Sequence, residues 1–310
     1  MAARWLDGKE VARTIRAEVA QGVKDLAGRI GVTPRLAAVL VGDDPASRVY
    51  VRNKIAACAE AGIRSEEIRL PATALQDEVL ARVRDLNADP DVDGILVQLP
   101  LPRGLDRLAV ILGLDPAKDV DGLHPLNVGR LGMRLPGPIP CTPAGVLEIL
   151  DRNHLPIAGR RAVVIGRSEI VGRPLATLLT HRDATVTVCH SKTPDLAAIT
   201  LQADLLVAAI GRPAWVRGEH IRPGAVVIDV GINRVDDIGV VASLFGADSP
   251  RVKEARDKGY TLVGDVHPRE AAERAGHLTP VPGGIGPLTI ACLLRNTLAA
   301  ARTRRAGMSW

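Results

Sequence analysis

Short aliphatic runs recur along the chain, separated by segments with helical periodicity, and this alternation constrains the fold more than any other feature. A strand, a covering helix and a second strand form a unit that returns to one sheet in parallel, so repeated alternation specifies an α/β protein with parallel sheets. Helical periodicity over residues 8–30 leads into the apolar strand at 36–41, then into a helix over 47–61 that Gly62 ends. A strand over 63–70, a helix over 75–87 and a strand over 93–99 complete a βαβαβ unit. A loop rich in Pro, Gly and Asp, 114–142, then breaks the rhythm before a helix over 143–152.

Alternation resumes with the strand RAVVIG (161–166), a helix over 174–180, the strand ATVTVCH (184–190) and a helix over 194–201. The strands ADLLVAAIG, AVVIDVG and TLVGDV follow, and the whole reads as a second, Rossmann-like unit. At 310 residues, two domains are the natural division. A last helix over 288–301 follows TPVPGGIGP, and periodicity alone does not assign it to either domain. The stretch ARTRRAGMSW reads as a frayed basic tail.

Composition narrows the function classes. Hydrophobic residues make up 46% of the chain and aromatics 2%, so the core is Ala, Val, Leu and Ile, as in covered parallel sheets and unlike a β-sandwich. No apolar run reaches the roughly 18 residues of a spanning helix, so no membrane role is expected. The first residues carry Asp7, Glu10 and Glu18 and no apolar core, which argues against a signal or transit peptide and points to the cytoplasm. Cys58, Cys141, Cys189 and Cys292 lack CxxC spacing, and they read as reduced thiols rather than zinc ligands or disulfides. The net charge of +5 comes from Lys and Arg spread along the chain with few aromatics between them. That describes a solvated surface, suited also to anionic small molecules, and not a nucleic-acid interface.

Between the strand ending at Ile165 and the helix opening at Pro174 lies GRSEIVGRP. A strand, a glycine turn and a helix N-terminus make an anion site, because free backbone N–H groups point at a pyrophosphate. The Gly166 to Gly172 spacing departs from GxGxxG, and an ordinary structural turn also explains it. The next strand ends in His190, Ser191 and Lys192, where enzymes using NAD place an acidic residue on the ribose. A hydroxyl and a cation there suit the extra phosphate of NADP, and Arg167 is placed to add a bidentate contact.

In parallel sheets ligands bind outside the carboxyl ends of the strands. There the first domain offers Tyr50 and Lys54, four apart on one helix, Gln98 in VQLPLP, and Asp119 and Asp121 in DPAKDVDGLHP. Singly, an amphipathic pair, a turn cap and a solvated loop explain them; together they converge on one sheet edge. A DxD pair without another carboxylate or His is poor support for a metal, and none is expected. Desolvation in a cleft lets a lysine move protons near neutral pH, and a neutral glutamine holds the amine without restoring its charge. An aspartate beside it recognises ring N–H donors, and a tyrosine stacks on the ring.

These segments, with PCTPAGV, VIDVGIN, VGDV and TPVPGGIGPLTIACLL, resemble the bifunctional methylenetetrahydrofolate dehydrogenase/methenyltetrahydrofolate cyclohydrolase family over the full length. The resemblance implies an NADP-dependent oxidation of 5,10-methylenetetrahydrofolate, then hydrolysis to 10-formyltetrahydrofolate. It implies that Lys54 transfers protons, Gln98 tunes it, Tyr50 stacks on the folate and Asp121 grips the pterin. Gly283, Gly284 and Pro287 match the loop shaping the folate cleft. Arg167 and Ser191 match the residues holding the 2′-phosphate, and Thr142, Ser168, Gly231 and Ile232 fall where the cofactor is lined. The last helix is expected to return to the first domain, giving a folate domain of 1–142 plus 284–310, an NADP domain of 143–283, and a homodimer. Two departures stand out: the stretch from Asn233 to Leu262 is longer than usual, and GDVHP lacks the acidic and aromatic residues that commonly follow GDV. Another NADP dehydrogenase of this shape, or a non-catalytic NADP sensor, are the rival readings.

Overall fold

The computed structural model describes residues 2–310. Two compact units divide the chain: Ala12–Cys141 with Thr289–Trp310, and Thr142–Leu288 with the residues up to Val11. The chain opens with β1 (Arg4–Trp5) and α1 (Gly8–Ile30). Then β2 (Arg35–Val41), α2 (Pro45–Glu60), β3 (Arg64–Leu70), α3 (Gln76–Ala88) and β4 (Gly94–Val97) alternate, as the periodicity predicts. The short helices α4 (Arg107–Leu112) and α5 (Pro125–Gly132) follow.

β2 is the centre of a three-stranded parallel sheet of order β3-β2-β4. Leu36 to Val41 are all buried, which is why this strand reads as an unbroken aliphatic run instead of an alternation. Ala37, Val39 and Val41 pack with Val79, Val83 and Leu86 of α3, leaving Leu36, Ala38 and Leu40 for the other face. Beside β4, Ile95 N donates to Lys118 O at 2.7 Å and bridges to Asp119, so the loop bearing Asp119 and Asp121 runs along the sheet edge. The buried Lys118 ammonium anchors that loop by donating to the carbonyls of Leu86, Asn87 and Asp89 where α3 ends.

The second unit begins with α6 (Cys141–Arg152), β5 (Arg161–Ile165), α7 (Gly172–His181), β6 (Thr185–Cys189), α8 (Leu196–Thr200) and β7 (Leu205–Ala208). β8 (Val226–Asp229), β9 (Asn233–Val235), α9 (Ile238–Phe245), α10 (Pro250–Lys258), β10 (Thr261–Val263), α11 (Pro268–Arg274) and β11 (His277–Leu278) continue it, before α12 (Ile285–Ala306). Its main sheet has the order β1-β11-β8-β7-β5-β6, and each neighbouring pair is parallel.

Three sequence expectations are corrected. Arg4 and Trp5 pair with His277 and Leu278, so the first residues extend the Rossmann-like sheet and do not belong with the domain assigned to 1–142. TLVGDV does not join that sheet: Thr261–Val263 pairs antiparallel with Asn233–Val235. The long stretch between these strands forms α9 and α10, whose Val241, Leu244, Val252 and Ala255 make a small core with Val235 and Val263. ARTRRAGMSW is not a frayed tail over most of its length. α12 runs on to Ala306, and both Arg304 and Arg305 donate to the fully buried carboxylate of Asp93, at 3.0 and 2.7 Å. A buried carboxylate needs such partners, and they hold the helix end in place. Among the described residues no helix is long and apolar enough to cross a membrane.

Candidate active site

The candidate residues form two groups, one in each unit. In the three-stranded unit, Asp44 caps α2 by accepting from Ser47 N at 2.7 Å, and Pro45 fills the first turn, where its missing N–H costs nothing. The cap sets the phase of the helix. Ser47, Val51, Lys54 and Cys58 then fall on its buried stripe, so Lys54 occupies a core-facing position and is only 6% exposed.

Lys54 Nζ donates to Gln98 Oε1 at 3.0 Å, just past the carboxyl end of β4. Gln98 Nε2 donates to Leu99 O at 2.6 Å, which turns the amide oxygen toward the lysine. The amine therefore meets a neutral acceptor. Tyr50, one turn earlier on α2, is half-buried, and burial pushes its phenol pKa up.

Asp121 and Asp119 differ. Asp119 is buried, its Oδ2 accepting from His124 N at 2.8 Å and Asn127 Nδ2 at 2.9 Å, so it organises the loop. Asp121 is partly exposed and available to a ligand. Gly122 follows with φ of 67°, and any side chain there would press on the backbone of Pro138 and Pro140. Two residues carrying no site role in the sequence reading shape this corner. Cys141 Sγ donates to Val120 O at 3.5 Å, and Asn296 of α12 donates to Val120 O at 2.8 Å and Ile139 O at 2.9 Å. Burial pushes the Cys141 thiol pKa well up, Asp121 and Cys292 add to the shift and Lys54 opposes it, so one thiol feels both the aspartate and the lysine. No sequence pattern marks either, because each acts across the tertiary fold.

In the six-stranded unit, β5 ends at the turn from Gly166 to Gly172. Gly166 has φ of 122°, a Cβ on it would overlap the Ala209 carbonyl, and a Cβ on Gly172 would overlap the carbonyl of Gly166. Both glycines are thus fixed by backbone approach, at a spacing set by this longer turn. Ser168 Oγ accepts from Val171 N and Gly172 N at 3.2 and 3.3 Å, capping α7. Arg167 and Ser168 are exposed at the turn. β6 ends at Cys189, and His190, held by its N–H to Thr193 Oγ1 at 2.9 Å, leads to the exposed Ser191 and Lys192. No carboxylate stands at that strand end, so the donors fit a phosphorylated ribose better than a free one.

Gly231 and Ile232 follow β8, and Thr142 is the second residue of α6. Gly283, Gly284 and Pro287 lie on the approach to and first turn of α12, within the unit of the six-stranded sheet. A Cβ on Gly8 at the start of α1 would overlap the Gly284 carbonyl, so the loop is packed tightly there. A cavity of about 280 Å³ opens at the opposite, amino-terminal edge of this sheet, lined by Arg160, Asp204, Arg222 and His277.

Fold and geometry together define a two-unit α/β enzyme: one unit is of the Rossmann dinucleotide type, and the other, with a smaller parallel sheet, buries a lysine against a neutral amide. Residues 6–121 match the family model of the tetrahydrofolate dehydrogenase/cyclohydrolase catalytic domain, and residues 140–305 match its NAD(P)-binding domain. The chain belongs to the tetrahydrofolate dehydrogenase/cyclohydrolase family. It is 52% identical over 305 residues to the bifunctional protein FolD of Koribacter versatilis, covering 98% of this chain and 99% of that protein. It is similar to the crystal structure of the Campylobacter jejuni FolD, a methylenetetrahydrofolate dehydrogenase/cyclohydrolase, with a TM-score of 0.88, 42% identity and coverage of 98% and 100%. The Trypanosoma brucei enzyme, solved with NADP cofactor and an inhibitor, gives a TM-score of 0.88 at 41% identity, covering 98% and 99%.

Proposed function

We propose that the protein oxidises 5,10-methylenetetrahydrofolate with NADP and hydrolyses the resulting 5,10-methenyltetrahydrofolate to 10-formyltetrahydrofolate. The buried Lys54 amine, bonded to neutral Gln98, carries the assignment of the hydrolytic step. Water bonds to the bridging carbon of the methenyl cation, the carbon–N5 bond breaks, one water proton ends on N5 and the other is released. Lys54 moves protons in this step, and Gln98 keeps the amine in place without adding charge. Asp121 accepts hydrogen bonds from the pterin, Tyr50 stacks on it, and Gly283, Gly284 and Pro287 leave room for the folate.

Arg167 and Ser191 would hold the 2′-phosphate of NADP, while the turn at Gly166 and Ser168 and the N-terminus of α7 would receive its pyrophosphate. Thr142, Gly231 and Ile232 line the remainder. NADP, when bound, supplies the acceptor for the hydride. Orientation of the folate by its own contacts provides the rest of the first step.

The protein works in the cytoplasm as a homodimer. Four free, buried cysteines support a reducing compartment. β6, an edge strand with Thr185, Thr187 and Val188 exposed, supports self-association, and light scattering checks it. A spectroscopic assay following the methenyl compound and NADPH together tests the activity: both appear from methylenetetrahydrofolate and NADP, then the methenyl signal decays. Absence of NADPH would reject the assignment.

A further inference from the structure

Two aspartates outside every role given above are interlocked at the carboxyl edge of the six-stranded sheet. Asp229 ends β8 and Asp265 follows β10; they are 4% and 0% exposed. Asp265 Oδ2 accepts from Ile210 N and Gly211 N at 2.6 and 2.9 Å, and its Oδ1 from Arg212 N and Asn233 Nδ2, each at 2.9 Å. Asp229 Oδ1 accepts from Gly231 N and Asp265 N, and its Oδ2 from Val266 N, all at 2.9 Å.

The glycines beside them complete the arrangement reciprocally. A Cβ on Gly231 would overlap the Asp265 carboxylate, and a Cβ on Gly264 would overlap that of Asp229. DVG on one strand end and GDV on the other thus fit as a pair, each aspartate filling the space the opposite glycine leaves. The loops they hold, residues 210–212 and 230–233, leave the carboxyl ends of β7 and β8, where ligands bind in such sheets. Ile232 itself is exposed, so packing does not place it. Its flanking residues do, through Gly231 N on Asp229 and Asn233 Nδ2 on Asp265.

We propose that Asp229 and Asp265 are positioning residues for the dinucleotide, a reciprocal clasp that fixes the backbone at Gly231 and Ile232 against which the cofactor lies. The inference rests on the dinucleotide reading given above. Neither aspartate touches the cofactor; both act through backbone they hold.

Asp265→Asn tests it. An amide has one accepting oxygen, so either the Ile210/Gly211 donors or the Arg212/Asn233 donors would face an N–H₂ group. The expected result is a KM for NADP raised about tenfold or more, with the kcat of oxidation changed much less. Adding Asn233→Asp returns an acceptor to the misplaced N–H₂ group and restores part of the affinity. Hydrolysis of methenyltetrahydrofolate, which can be assayed without nucleotide, reports on folding. Asn233→Ala, which removes one of the four donors to Asp265 together with the bond of Asn233 Nδ2 to Val263 O, serves if Asp265→Asn does not accumulate and is expected to raise KM severalfold. An NADP KM within twofold of wild type in the variants overturns the clasp, as does a proportional fall of both activities. Wild-type protein that binds no NADP would instead reject the dinucleotide reading itself.

Discussion

Lys54 and Gln98 meet through a single hydrogen bond of 3.0 Å in which a buried ammonium is answered by an uncharged oxygen. A carboxylate at position 98 would have given an ion pair; the amide gives a held but uncompensated amine. Lys54→Met therefore removes the proton carrier while leaving the helix face apolar. Hydrolysis is expected to fall by at least about 100-fold with NADP affinity unchanged, as decay of the methenyl absorbance and a nucleotide titration would show.

Gln98→Glu changes the charge and little of the shape. A carboxylate at that distance favours the charged amine, so the variant's amine gives up its proton less readily than that of wild type. The pH profile of hydrolysis should shift to higher pH with a lower rate at neutrality. A profile identical to wild type would contradict the assigned role of the amide.

Ser191 stands exposed where β6 ends, with Lys192 beside it. Ser191→Asp places a negative charge against the ribose phosphate. KM for NADP should rise about tenfold or more while KM for NAD stays or falls, measured as oxidation rates with each nucleotide.

Asp93 is a buried anion held by Arg304, Arg305 and the Arg35 backbone N–H. Asp93→Ala strands two half-buried guanidinium groups. It should cost about 3–5 kcal/mol of stability, read from denaturant unfolding.

Burial pushes the Asp229 carboxyl up to about 7, against three backbone N–H donors that pull it down. A carboxyl raised above its unfolded value binds its proton more tightly when folded. Its contribution is complete below about pH 4 and is lost as pH rises through about 7. Asparagine cannot titrate, so raising the pH from 5 to 8 should cost wild type about 1–3 kcal/mol relative to Asp229→Asn, as paired unfolding curves would reveal.

Much of this was legible in the sequence, and the misses share a cause. Leu36 to Val41 reads as a buried parallel strand because six consecutive buried residues admit only aliphatics there. Tyr50, Lys54 and Gln98 are legible because helical spacing and a strand end place them locally. Arg4–Trp5 and His277–Leu278 carry no periodicity in two residues each, and only their pairing makes them strands. TLVGDV has the composition of a sheet strand, but its partner is Asn233–Val235, a choice made by tertiary contact. Asn296 and Asp265 stay silent for the same reason, since their partners lie 155 or more and 32 or more residues away in sequence.

The neutralisation of Asp93 by Arg304 and Arg305 spans more than 200 residues. During synthesis the strand next to Asp93 leaves the ribosome long before those arginines exist. The early unit must then wait without these two cations until the end of α12 has been translated, and a nascent chain stalled before Arg304 should remain sensitive to protease and dependent on chaperones.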